Sequence, residues 1–294
     1  MQTTKSHLLN LHICIVIFDY SITLWVIPFV LLPEMAFYPL GLVRFLGGVN
    51  GIQLALWVFN TGCIGIAIVL LYESRFNTLC DMFSPKLSTF WETFRKPWIL
   101  FQYGITAIGS VPFGILTPDQ NLASQLLFEN LPRAPKSIYN TSVFVVADDY
   151  TYHCLTWIAF VVVACLESNF FIYFLVYNLT ARYRTKTMSQ KTYKMQKAFL
   201  IALSLPVLVP MTLICIPIFY GWFSIFTKFY NQAMTNMIVL IALLHGFMSS
   251  LVMILVHRPY REAVLFMIGK RVTIDKIQSS IGSTKTIKVV PING

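Results

Sequence analysis

Six long apolar stretches, at 8–32, 51–72, 97–117, 153–178, 198–222 and 233–256, constrain this chain more than any other feature. An α-helix rises about 1.5 Å per residue, so about 20 apolar residues cross the hydrocarbon core of a bilayer. In that solvent each backbone N–H and C=O has to be paired within the protein, which makes helices the economical way to span it. The stretch 198–222 contains no Asp, Glu, Lys, Arg or His, whereas a helix on a soluble surface keeps a polar face. With 56% hydrophobic and 12% charged residues, the chain carries too few charges to cover a water-soluble protein of 294 residues. The sequence predicts an all-α polytopic membrane bundle with six visible transmembrane helices.

Orientation follows from the basic residues, which are retained on the cytoplasmic side of short loops. Lys5 precedes the first span, and the connection 73–96 holds Arg75, Lys86, Arg95 and Lys96. The connection 179–197 adds Arg182, Arg184, Lys186, Lys191, Lys194 and Lys197; the tail adds Arg258, Arg261, Lys270, Arg271, Lys276, Lys285 and Lys288. One face therefore holds 18 of the 22 basic residues, leaving Arg44, Arg133, Lys136 and Lys228 for the other. Both termini are expected in the cytoplasm. Topology alone accounts for the net charge of +10, so no nucleic acid is implied as a partner.

No cleavage site follows the first apolar run, which reads as a signal anchor. The short connection 33–50, with Pro33, Pro39, Gly41, Gly47 and Gly48, reads as turn. The long polar connection 118–152 carries Asn140 in a glycosylation sequon on the outer side. Pro206, Pro210 and Pro217 favour bends in the span 198–222. Residues 260–271 suit a short amphipathic helix at the inner leaflet, and 272–294 a disordered tail with Ser279, Ser280, Ser283, Thr284 and Thr286 as phosphate acceptors.

Asp19, Glu167 and His245 are ionisable residues inside spans, where an unpaired charge is expensive. Each fits either a functional role or a hydrogen bond that fixes helix packing. Trp57, Tyr103 and Trp157 fit either an apolar ligand pocket or ordinary packing. No serine-nucleophile, zinc-protease or phosphate-loop motif is present, and the six cysteines have no metal-binding spacing. Neither enzyme activity, a metal nor a cofactor is implied.

Two junctions at basic connections are more specific. The second span runs into Leu71, Tyr72, Glu73, Ser74, Arg75, Phe76, and the last into His257, Arg258, Pro259, Tyr260, Arg261. In order with them stand Leu9, Asn10, Leu11, His12 leading to Asp19; Tyr38, Pro39, Leu40, Gly41; and Gln196, Lys197. Together these resemble the nematode serpentine chemoreceptors, most closely serpentine receptor class H, over about residues 8–265.

The resemblance implies a seven-helix G-protein-coupled receptor domain over 1–265. It implies an outer pocket for a small odorant or pheromone-like ligand and an inner surface for a heterotrimeric G protein. It also implies a place in the plasma or ciliary membrane of sensory neurons. Glu73 and Arg75 match an inner lock in which the acid holds the arginine until activation, with Phe76, His257, Pro259, Tyr260 and Arg261 beside it. Phe76 stands where tyrosine is more usual, and Arg258 where asparagine is commoner. The first visible span matches the family's second helix and starts in the cytoplasm, so about 20 further apolar residues are expected upstream of Met1. A six-span transporter or channel is the rival reading. It calls for an internal repeat between 1–117 and 150–256, and none is visible.

Overall fold

The computed structural model describes residues 2–45, 50–83, 85–131, 138–139, 141–256 and 258–267. Six of its helices are long and apolar enough to cross a membrane: Ser6–Val26, Gly51–Cys80, Lys86–Ile115, Thr151–Arg184, Gln190–Thr227 and Gln232–Val256. The chain is thus a polytopic helical membrane protein. Large apolar side chains such as Leu100, Ile108 and Phe226 point away from the bundle, where lipid rather than water covers them.

The first span is shorter than its apolar run. Helix α1 (Gln2–Tyr20) continues as a wider π-helical turn over Ser21–Val26 and stops at Ile27, whose φ is 41°. Pro28 explains the stop, because a proline forces the preceding residue out of the right-handed helical region. The apolar residues that follow form a strand, β1 (Pro28–Leu31), not the end of a helix reaching 32.

Helix α2 (Asn50–Phe83) and helix α3 (Pro85–Ser110) correct the expectation of a loop over 73–96. Hydropathy marks where the hydrocarbon ends, whereas the helix continues wherever its backbone bonds and side-chain packing continue. Pro85 opens α3 at a position whose N–H would have had no partner. The remaining helices are α4 (Pro112–Ile115), α5 (Gln120–Asn130), α6 (Thr151–Arg184), α7 (Gln190–Thr227), α8 (Gln232–Leu243), α9 (His245–Val256) and α10 (Arg258–Met267). Despite its prolines, α7 is one continuous helix. The last span is instead divided at Leu244, whose N–H reaches the carbonyls of Leu240 and Ile241.

Helix α2 is the centre of the bundle. Half of its apolar stretch is buried, against 12 to 28% for the other spans. Leu11, Ile15 and Phe18 of α1 meet Ile64, Ile68 and Leu71 of α2, with Phe171 and Leu175 of α6 and Leu203 of α7 completing the core. At the far end Gly51 of α2 abuts Gly114 of α4. A Cβ on Gly51 would stand 2.9 Å from the Gly114 carbonyl oxygen, so a side chain is excluded there.

The two connections at that end build a cap that an all-helical expectation omits. Strand β1 pairs antiparallel with β2 (Ala36–Pro39), and β2 pairs with β3 (Phe144–Val145), giving the order β1-β2-β3. Helix α5 packs Ala123 and Leu127 against Leu31, Ala36 and Val145. Its first turn is capped by the Asp119 carboxylate, which accepts from the N–H of Asn121 and of Leu122. The opposite end of the bundle carries the basic residues of α6, α7 and α10. The Asn140 sequon, His257 and the tail with its phosphate acceptors lie outside the described residues.

Candidate functional site

Trp91, Arg95, Trp98 and Gln102 are spaced four, three and four residues apart, which aligns them along one face of α3. All four side chains are donors, and they serve two carboxylates. At the basic end, Trp91 Nε1 donates to Glu73 Oε1 at 2.8 Å, and Arg95 Nε lies 2.8 Å from the same oxygen. The Glu73 side chain is wholly buried, a position in which a carboxylate requires a paired charge. Further along α3, Gln102 Nε2 and Trp98 Nε1 both donate to Glu167 Oε1 on α6.

Arg75 is therefore not the partner of Glu73. Residues two apart on a helix face different directions, so the side chains of Glu73 and Arg75 diverge. The Arg75 guanidinium stacks on Phe199 of α7, 3.8 Å from the ring centroid. One turn closer to the cap, the Tyr72 hydroxyl donates to Ser204 of the same helix at 3.3 Å. Phe76 fills the space between α2, α3 and α6, with ring centroids 5.5 Å from Trp91, 5.5 Å from Phe171 and 4.9 Å from Phe174. Arg261 turns back to the Leu255 carbonyl at 3.2 Å instead of joining Glu73. The side chains of Pro259 and Tyr260, like His257, fall outside the description. A cleft of about 350 Å³ opens here between α2, α6 and α7, lined by Tyr72, Leu179, Tyr193, Lys197 and Ser204.

Asp19 and His245 are brought together from α1 and α9, Asp19 Oδ1 lying 3.3 Å from His245 Nε2. The imidazole is fully buried, with Nδ1 2.5 Å from the Ala242 carbonyl and the Phe18 ring edge-on at 5.2 Å. With Nδ1–H donated to the carbonyl, Nε2 and the carboxylate are both acceptors. Gly246 makes room for this pair, since a Cβ there would overlap the Asp19 carboxylate. Glu167 is held separately by α3, so the three intramembrane groups do not form one relay.

Two cavities lie toward the cap. One of about 370 Å³ sits between α2, α3, α6 and α7, lined by Gly62, Trp98, Gln102, Trp157, Glu167 and Met211. The other, about 250 Å³, lies beneath the sheet and is lined by Phe37, Trp57, Cys154, Trp157 and Thr235. Trp157 belongs to both. Trp57 also donates its Nε1–H to Ser21 Oγ at 2.9 Å. Tyr103 lines neither cavity. Among the described residues no three metal-ligating side chains cluster.

Sequence reasoning passes over Trp91, Arg95, Trp98, Gln102 and Phe199. The period of the α3 donors is the signal that finds four of them, once 85–96 is read as helix rather than loop.

A bundle of six apolar helices closed by a sheet, with cavities of small-molecule size on the capped side, defines a multi-pass membrane protein with room for a small ligand. Residues 1–270 match the family of serpentine type 7TM GPCR chemoreceptors Srh, and the chain belongs to that family. Serpentine receptor class H-72 of Caenorhabditis elegans is 21% identical to it, over 99% of this chain and 82% of that protein. No solved structure matches.

Proposed function

We propose that this chain is a chemosensory receptor that binds a small odorant or pheromone-like molecule at its capped end and signals to a heterotrimeric G protein at its basic end. In this reading the basic end faces the cytoplasm, as the distribution of lysine and arginine requires, in the plasma or ciliary membrane of a sensory neuron.

The observation that carries the reading is the divergence of Glu73 and Arg75. Glu73 ties α2 to α3 through an ion pair, and Arg75 ties α2 to α7 through a stacked ring. The first tie is a buried ion pair; the second is a half-buried cation–ring contact with a helix that borders both the ligand cavities and the basic-end cleft. Ligand binding that shifts α7 separates Arg75 from Phe199 and widens the cleft, while Glu73 and Arg95 keep α2 and α3 together. A population of two such arrangements, biased from the cavity, is the minimum that transmembrane signalling needs. Phe76 is the fixed point of this switch. The His257, Pro259, Tyr260, Arg261 junction is assigned to the G-protein surface of this reading on its resemblance to the family's motif.

The test is expression in a cell line with calcium and cyclic-nucleotide reporters, challenged by a panel of small volatile and pheromone-like molecules. Arg75→Ala is expected to change the response to an activating compound or to raise basal signalling. A response and a basal level both unaltered by Arg75→Ala would overturn the switch.

A further inference from the structure

We infer that the larger cavity is a binding site for small apolar amines, with Glu167 as the group that receives the ammonium. This names a ligand class for the receptor proposed above, and it comes from comparing the two carboxylates served by α3.

Glu73 and Glu167 are built alike up to one difference. Each has its Oε1 engaged by two consecutive donors of the α3 face, a hydrogen bond and an ion pair at Glu73 and two hydrogen bonds at Glu167. At Glu73 one of those donors is Arg95, a cation. At Glu167 both donors, Trp98 and Gln102, are neutral, and no cation of the described residues lies within ion-pairing distance of it. Glu167 Oε2 accepts no hydrogen bond from the described residues. Where Glu73 has its arginine, Glu167 has the cavity. A carboxyl group at mid-span without a counter-charge is an expensive arrangement, and a ligand that supplies the charge removes the expense.

The walls fit the same chemistry. Trp98, Phe101, Trp157 and Phe160 are among the cavity's lining residues, and aromatic rings attract an ammonium as well as an alkyl body. The cavity volume of about 370 Å³ lies within the ~300–1,000 Å³ of small-molecule pockets. One side is open toward lipid, where Phe101 is 64% and Val163 46% exposed. An amine crosses the bilayer in its neutral form. On docking it takes the proton of the Glu167 carboxyl group, which becomes the carboxylate, and ends as an ammonium facing it. An alcohol of equal length gains only a neutral hydrogen bond.

The test uses the full chain in lipid nanodiscs, titrated with n-hexylamine and with n-hexanol while tryptophan fluorescence is followed. Hexylamine is expected to saturate at a concentration roughly tenfold below hexanol, and Glu167→Gln is expected to bring the two within about twofold of each other. The substituted amide keeps an acceptor oxygen for Trp98 and Gln102, so the variant should fold, and its unfolding temperature checks this. As a second readout, a diazirine-bearing hexylamine is expected to label the cavity-lining turns of α3, α6 and α7. Equal affinity for amine and alcohol, a preference that survives Glu167→Gln, labelling elsewhere, or no saturable binding because lipid fills the cavity would each overturn the site. Binding in nanodiscs requires no G protein. A chain that binds hexylamine yet signals to nothing contradicts the receptor reading and leaves this site standing, and signalling by other ligands without amine preference does the reverse.

Discussion

The Nε of Arg95 lies 2.8 Å from the buried carboxylate of Glu73, so the acid near the end of α2 is held from α3 and not by the arginine two residues away. Arg75 is left to stack on Phe199, and the central helix is thereby joined to its two neighbours by contacts of different strength.

That difference sets the order of two substitutions. Arg95→Leu strands a fully buried carboxylate with Trp91 as its remaining donor and is expected to cost about 3 kcal/mol, the low end for breaking a buried pair because Arg95 is itself 27% exposed. Arg75→Leu removes a cation–π contact and should cost about 1 kcal/mol. Chemical denaturation in detergent micelles measures both. The reverse order would assign Glu73 to Arg75 after all.

Gly246→Ala places a methyl group on the Asp19 carboxylate. The expected result is a destabilisation of about 2 kcal/mol, typical of overpacking, that is largely relieved in the double variant with Asp19→Ala. A double-mutant cycle reads the coupling directly. Additive effects would mean that the two positions are not in contact.

Trp157 borders both cap-side cavities, whereas Tyr103 borders neither. Trp157→Ala is expected to raise the half-maximal concentration of an activating compound by about tenfold, equivalent to ~1.4 kcal/mol. Tyr103→Phe should leave it within about twofold. Dose–response curves in the reporter cells decide between them, and an effect confined to Tyr103 would place the ligand elsewhere.

Lys228, just after α7, donates to the Tyr150 hydroxyl at 2.6 Å and lies 4.0 Å from the Glu34 carboxylate of the cap. The hydrogen bond to Tyr150, helped by Glu34, holds its pKa above the usual lysine value of 10.5. A raised pKa in the folded state gives a contribution that is fully present below the unfolded value and is lost as pH rises through the folded one. The difference in unfolding temperature between the native chain and Lys228→Met is therefore expected to be constant from about pH 6 to 9 and to shrink above about pH 10.5. A difference that shrinks on acidification from pH 9 to 6 would contradict the assignment.

The six spans are legible without coordinates because crossing a bilayer is a property of contiguous residues. The stretch 198–222 has nowhere else to go, whatever its neighbours do. Asp19, Glu167 and His245 stand out for the same reason, as ionisable groups where the solvent is hydrocarbon. Ile27 is the opposite case. The apolar run continues past Pro28 to residue 32 and reads as one span, and only the pairing of 28–31 with 36–39 shows that those residues form a strand.

Composition and order alone determined that this chain is a multi-pass helical membrane protein, and its ordered junction motifs pointed to the family. Which polar groups meet was decided by the tertiary structure. Glu73 finds Trp91 eighteen residues away, and Glu167 finds Gln102 across sixty-five. Both pairings depend on α3 starting early at Pro85 and turning its donor face inward. Hydropathy sums over a window and has no term for direction, whereas a hydrogen bond exists only when two helices are placed and rotated to present donor to acceptor.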